Sequence, residues 1–172
     1  MSRIPLVTSR DGLDAEAQLV FDRIVASRGT VLRPFEVLLH APAIADAVAA
    51  LGHVVRTGSG LGDADRELIT LATGRALGCA FVWDSHLESA RAAGVDPATI
   101  EALEREEAGA ALGAREATLV AFVRELCATA AVSDDTFRAV HEVLGTTAVV
   151  EMALTIGYYT MLGYTMGAVD AC

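Results

Sequence analysis

The sequence predicts an all-α protein, a single-domain bundle of about eight helices over residues 1–172. Apolar residues recur at intervals of three to four along most of the chain, which is the period of an amphipathic helix. Alternation with a period of two, which would indicate strands, is nowhere sustained beyond a few residues. Only four prolines occur, and no linker is long enough to separate two domains.

The first half of the chain predicts three helices, separated by proline and glycine. They are Asp14–Ser27, a short turn of helix at Phe35–His40, and a helix from Pro42 to about Arg56. Arg28 and Gly29 close the first helix, because a cationic last turn and a glycine are typical of a helix end. Its apolar positions are Ala15, Leu19, Val20, Ile24 and Val25.

The second half predicts longer helices that end at glycines. They are Asp63–Leu77 with Asp63 as its cap, Cys79–Ala93, Pro97–Glu107 capped by Asp96, Ala114–Ala130, a short helix from Ser133 or Asp134 to Leu144, and a long helix from Thr146. The buried stripe of the first of these is Leu68, Ile69, Leu71, Ala72 and Ala76. Breaks are expected at Gly78, at Gly94 and in the GAALGA hinge at 109–114.

Composition excludes several classes of function. The formal net charge is −10, which opposes the neutralisation of phosphates that DNA, RNA or an anionic membrane would require. All 13 basic residues are arginine, so a lysine Schiff base and a phosphate-loop lysine are excluded. No G-x-S-x-G elbow is present, which disfavours a serine hydrolase. His40, His53 and His141 stand at no metal-ligand spacing, so no metal is expected.

The three cysteines predict a reduced, cytoplasmic protein. Cys79, Cys127 and Cys172 form no CxxC pair and no zinc-type pattern. The N-terminal residues MSRIPLVTSRDG contain no apolar stretch of signal-peptide length, so secretion is not indicated.

Residues 152–169 run for eighteen positions without a charge. Half of these positions are Thr, Tyr or Gly, and Glu151 and Asp170 bracket the segment, so a buried helix is favoured over a membrane span. Gly163 and Gly167 lie on one face of this helix and would allow another helix to approach closely.

The segment at 66–95 carries the candidate chemistry. Cys79 and His86 are seven residues apart, which places them on one helical stripe two turns apart, with Trp83 between them. Glu67 lies on the preceding helix and meets His86 only if the chain folds back at Gly78. A carboxylate in contact with a histidine would orient the imidazole for proton transfer. On spacing alone, a structural role is favoured for each: packing for His86 and Cys79, and a favourable position at the helix start for Glu67.

These residues resemble the carboxymuconolactone decarboxylase and alkylhydroperoxidase-D superfamily of small helical proteins. Glu67, Cys79 and His86 stand at the places of the family's glutamate, first cysteine and histidine, and Ala90–Val95 matches the segment after the histidine. The second cysteine position is Val82, so the redox dithiol of the peroxidase branch is missing.

The non-redox branch is more similar, because Arg66–Leu68 matches its R-E-L motif. The tyrosine and glutamate that this branch often carries before the tryptophan are Phe81 and Val82 here. The resemblance implies a homo-oligomer, a trimer or a hexamer, with a pocket near the histidine and no metal or organic cofactor. In the decarboxylase branch the substrate is a carboxylated lactone.

Three hypotheses follow. In the first, His86 moves a proton and Glu67 orients it, Cys79, Phe81, Val82, Trp83 and Tyr159 line the pocket, and Arg56 or Arg75 binds a substrate carboxylate. The reaction would be decarboxylation, isomerisation or elimination on a small carboxylated lactone or enolisable acid. In the second, Cys79 is the thiolate of a one-cysteine alkylhydroperoxidase. In the third, the chain is a non-catalytic binding protein on the same fold.

Overall fold

The computed structural model describes residues 2–105 and 112–172, and within them it contains eight helices and no strand. The helices are α1 (Ala15–Arg28), α2 (Arg33–Leu38), α3 (Pro42–Thr57), α4 (Asp63–Ala76), α5 (Ala80–Ala92), α6 (Pro97–Glu104), α7 (Ala114–Thr129) and α8 (Asp134–Ala168). The prediction of an all-α fold is therefore confirmed.

Local capping explains both ends of α1. The Asp14 carboxylate accepts from the backbone N–H of Ala17 at the start of α1, and Gly29 ends that helix with a φ of 78°. The prediction of Asp63 as a cap is wrong, because Gly62 occupies the cap position and Asp63 is the first helical residue.

Helix α6 is shorter than predicted. It ends at Glu104, where the N–H of Arg105 bonds back to the carbonyl of Glu101. Glu107, its predicted end, and residues 109–111 of the predicted GAALGA hinge lie outside the described residues.

Gly145 divides α8 at the predicted boundary between Leu144 and Thr146. Its φ of 76° and ψ of 171° are not helical, and a φ of that sign is accessible at little cost only to glycine. The segment before it and the long apolar segment after it are therefore separate helical rods within α8.

The chain forms two compact units. One comprises Met1–Gly58 with Tyr164–Ala171, and the other comprises Ser59–Gly163 with Cys172. In the first, α1 packs on α3 and buries Val20 and Ile24, whereas Leu19, predicted for the apolar stripe, is 59% exposed. The single-domain assignment stays a prediction.

Helix α4 lies at the centre of the second unit. All eight residues from Glu67 to Gly74 are buried, because α5, α6 and α7 all pack against this helix. Thr70 and Thr73 satisfy their buried hydroxyls by donating to carbonyls one turn earlier, those of Arg66 and Ile69. Ala76, predicted for the buried stripe, is exposed at the end of the helix.

Helix α8 buries part of its apolar surface and exposes part. Met152, Ile156 and Leu162 are buried, whereas Val150 and Leu154 are each 56% exposed. The length and composition of α8 would suffice to cross a membrane, a property that it shares with the core helices of many soluble proteins. The buried helix predicted for 152–169 is thus buried along one face only.

Candidate functional site

The connection between α4 and α5 positions the site. Gly78 turns the chain with a φ of 62°, and Cys79 becomes the extended cap residue of α5 rather than part of the predicted helix. At Gly74 a Cβ would stand 3.0 Å from Val82 Cγ1 and 3.1 Å from the backbone nitrogen of Trp83. The absence of a side chain at Gly74 lets the two helices approach closely, which sets the distance between Glu67 and His86.

The structure brings Glu67 and His86 into contact. His86 Nδ1 lies 2.8 Å from Glu67 Oε2. The side chain of His86 is 18% exposed and that of Glu67 is 11% exposed. Tyr159 of α8 packs against the imidazole edge to face, with the ring centroids 4.9 Å apart. Carboxylate and phenol ring together hold the imidazole in one orientation.

This pairing determines which nitrogen of His86 can react. When Nδ1–H donates to Glu67, the neutral imidazole carries its lone pair on Nε2. A proton taken up at Nε2 creates an imidazolium next to the carboxylate, which stabilises that charge. The pair can therefore accept and return a proton at one defined atom.

Arg66 is a member of the site that sequence reasoning missed. Its Nη1 lies 2.8 Å from Asp63 Oδ1 and its Nη2 lies 3.7 Å from Glu67 Oε1. Across residues 2–105 and 112–172, its Nε is the one buried side-chain polar atom that lacks a hydrogen-bond partner. The sequence places Arg66 next to Glu67, but only the fold shows that its side chain is 13% exposed.

The residues predicted to line the pocket near His86 lie in different environments. Val82 and Trp83 are buried, and Trp83 belongs to the main hydrophobic cluster. Phe81 is half-buried. Tyr158 packs edge to face on Tyr159, so the Tyr159 ring is itself held in place.

The two arginines predicted for a substrate carboxylate are engaged elsewhere. Arg56 belongs to the first compact unit, where its Nε donates to the Gly52 carbonyl of its own helix. Arg75 donates to the carbonyls of Leu103 and Glu104 at the end of α6, and its guanidinium lies 5.5 Å from the centroid of the Trp83 ring. Arg75 also lines a cavity of about 300 Å³ beside Cys79.

The prediction of three reduced cysteines is wrong. Cys79 and Cys172 form a disulfide, with their Cα atoms 5.4 Å apart. Ninety-three positions separate them, so the sequence carries no short-range pairing signal. Cys127 is a free thiol, and its burial raises its pKa above the ordinary value.

Close approach to α8 is confirmed at one of the two predicted glycines. A Cβ on Gly163 would lie 3.1 Å from Leu77 Cδ1 and 3.9 Å from Cys79 Cβ. Nothing lies within 4 Å of such an atom on Gly167. Gly163 therefore allows α8 to pass close to the chain at Cys79.

Solved structures show the same fold. The chain superposes with a TM-score of 0.79 on the alkylhydroperoxidase AhpD core of a peroxidase-related protein from Ralstonia eutropha, at 20% identity over 99% of this chain and 91% of that one. A peroxidase-related protein from Silicibacter gives a TM-score of 0.75 at 21% identity, covering 98% of this chain and 90% of that one. A cysteine-to-alanine variant of the debrominase Bmp8, in complex with 2,3,4-tribromopyrrole, gives 0.78 at 17% identity, covering 100% and 93%.

Of two sequence comparisons, one gives a match. No curated protein matches the chain. The profile of the carboxymuconolactone decarboxylase family matches residues 42–125, a segment that includes Glu67, Cys79 and His86. Residues 42–125 thus match the carboxymuconolactone decarboxylase family, and the chain has an alkylhydroperoxidase-D-like fold.

Proposed function

We propose that the protein is a cofactor-independent enzyme that transfers a proton on a small carboxylated lactone or a related enolisable acid. The observation that carries this proposal is the 2.8 Å contact between His86 Nδ1 and Glu67 Oε2, which leaves Nε2 as the reacting nitrogen. The family match, which is named for a decarboxylase, supports the choice of substrate class.

A decarboxylation with migration of a double bond needs one proton donor. Breaking the bond to the carboxylate releases carbon dioxide and leaves its electron pair on the conjugated lactone. Protonation of a different carbon by the imidazolium of His86 uses that pair and moves the double bond. Glu67 stabilises the imidazolium before this step and holds the ring in line with the substrate.

Arg66 is the residue that we assign to the substrate carboxylate. Its buried Nε–H lacks a protein partner, and a guanidinium binds carboxylates through charge-assisted hydrogen bonds. Its Nη2 is 3.7 Å from Glu67 Oε1, so a carboxylate held at Nε would be close to the proton-transfer pair. Arg66 thus replaces Arg56 and Arg75 in this proposed role.

The experiment follows proton transfer without requiring knowledge of the product. A panel of carboxylated lactones, β-keto acids and other enolisable acids is incubated with the protein in deuterium oxide. Mass spectrometry and proton NMR then report deuterium uptake or loss of carbon dioxide. His86→Gln should lower the rate on any active compound about a hundredfold or more, since general acid–base catalysis contributes on that order.

His53→Gln is the matched control, because His53 is exposed and lies on α3. It should retain the wild-type rate, and circular dichroism should show both variants folded. Equal rates for wild-type protein and His86→Gln would disprove the proposal. Tight binding of a panel compound with neither exchange nor product would favour a binding protein instead.

The one-cysteine alkylhydroperoxidase hypothesis loses its main support. It requires a free thiol at Cys79 that only an external thiol can resolve. Cys79 instead has an internal partner in Cys172, so oxidation at Cys79 would involve both cysteines.

We also propose that the chain assembles as a homo-oligomer, a trimer or a hexamer. The support is an apolar stripe on α8, formed by Val150, Leu154 and Met161, which are 56%, 56% and 37% exposed. Their spacing of four and seven residues places them on one helix face. A second copy would remove these side chains from water.

A further inference from the structure

The two cysteines of the disulfide between Cys79 and Cys172 differ in their exposure to solvent. Cys79 is 2% exposed, whereas Cys172 is exposed. A thiol in solution can therefore reach the Cys172 sulfur much more easily than the Cys79 sulfur. Exchange at Cys172 would expel Cys79 as the leaving group.

Cys79 occupies the N-cap position of α5, a helix of 13 residues. A thiolate that leaves at Cys79 would stand at the N-terminus of this helix, where the partial positive charge of the backbone is favourable to an anion.

A cavity lies beside Cys79. It has a volume of about 300 Å³, and its lining includes Cys79, Arg75, Trp83, Asp84 and Glu104. The lining therefore contains one residue with a guanidinium and two with carboxylates. The cavity is large enough for the tail of a small reactant to lie beside the thiolate.

We propose that Cys79 and Cys172 form a redox-active dithiol that exchanges electrons with low-molecular-weight thiols and their disulfides. In reduction, the thiolate of a small thiol attacks Cys172 Sγ, the bond between the two cysteines breaks, and Cys79 leaves as a thiolate. A second thiol attacks the mixed disulfide, forms the small disulfide and releases the Cys172 thiolate. Two electrons pass from two small thiols to the protein, and oxidation runs through the same steps in reverse.

Cys127 provides an internal contrast. It is free and half-buried, and burial raises the pKa of its thiol. The thiolate fraction at Cys127 near neutral pH is consequently below that of an ordinary cysteine. The proposal therefore predicts that oxidation and exchange are confined to Cys79 and Cys172.

The experiment counts thiols in the full chain. Wild-type protein is equilibrated in glutathione and glutathione disulfide at a series of ratios, quenched with acid, alkylated and mapped by peptide mass spectrometry. We expect Cys79 and Cys172 to change together from two thiols to one disulfide while the protein stays folded. Cys127→Ser, the matched control, should give the same titration.

Two variants resolve the order of the steps. In Cys79→Ser, glutathione disulfide should leave a trapped mixed disulfide on Cys172, because its partner is missing. In Cys172→Ser, glutathione disulfide should modify Cys79 about tenfold or more slowly than it modifies Cys172 in Cys79→Ser, because Cys79 is buried and Cys172 is exposed.

Two results would overturn the proposal. One is a disulfide that opens only when the protein unfolds, which would make it a structural cross-link. The other is a reduced protein that keeps both thiols in glutathione disulfide. Since no carbon acid is present in this titration, its failure leaves the proton-transfer proposal standing, and the reverse also holds.

Discussion

Neither Glu67 nor His86 alone predicts the contact between them. Nineteen positions separate the two side chains, and either one alone would suit an ordinary helix surface. Their residue types suggested an acid–base pair, and the turn at Gly78 brings them to 2.8 Å. The residue types were therefore visible in the sequence, and their proximity was not.

Arg66→Gln tests the proposed carboxylate site at the scale of one residue. The variant should raise KM for an active carboxylated substrate about tenfold or more and change kcat less, because a lost charge-assisted hydrogen bond weakens ground-state and transition-state binding alike. Steady-state kinetics on the best compound of the panel measures both constants.

Asp63→Asn is the companion variant for this test. It removes the ion pair of Arg66 at the start of α4 but keeps the guanidinium. A similar rise in KM in this variant would assign the effect to the helix start and would refute a direct role for Arg66.

At the scale of elements, α4 differs most from its sequence pattern. The pattern predicted one buried stripe, whereas two full turns are buried on every side. Periodicity identifies the face with the most apolar residues, but it does not count how many helices will pack around that face. The buried Thr70 and Thr73 are compatible with this position because their hydroxyls bond to the helix backbone itself.

The start of α8 is held by a carboxylate of α7, and this contact predicts a pH dependence. Glu125 accepts from the backbone N–H of Ser133 at 2.7 Å and from the hydroxyl of Thr136 at 2.6 Å. The Thr136 hydroxyl, followed by the Ser133 backbone, holds the pKa of Glu125 below its ordinary value of 4.5. The folded state therefore binds the proton less readily than the unfolded chain.

A lowered folded-state pKa means that this stabilisation is full above the unfolded pKa and is lost as the pH falls through the folded pKa. The urea midpoint of wild-type protein should thus fall more steeply between about pH 6 and pH 3 than that of Glu125→Gln. Glu142→Gln, at an exposed position of α8, should follow the wild-type curve. Parallel curves for wild type and Glu125→Gln would show that the contact contributes nothing to acid sensitivity.

For the whole molecule, the exposed apolar stripe of α8 predicts assembly into an oligomer. The mass of the protein in solution tests this prediction. Leu154→Glu places a charge in the centre of the stripe, and burying it between subunits without a partner would be costly. We expect light scattering to report an oligomer for wild-type protein and a mass near the single-chain 17.9 kDa for this variant.

Leu19→Glu is the matched control, because Leu19 is an equally exposed leucine, on α1. It should keep the wild-type mass. A monomeric wild-type protein, or an unchanged mass for Leu154→Glu, would refute assembly through this stripe. Partition of the wild-type protein into detergent micelles would instead indicate that α8 meets lipid.

The sequence alone determined the all-helical fold, most helix boundaries, the break at Gly78 and the residue types of the pair formed by Glu67 and His86. These features depend on periodicity, capping and glycine conformation, which act over a few neighbouring residues. Tertiary structure decided the partner of Cys79, the buried position of Arg66 and the burial of α4 on every side. Each of these depends on groups that are distant in the chain, so no local pattern could encode it.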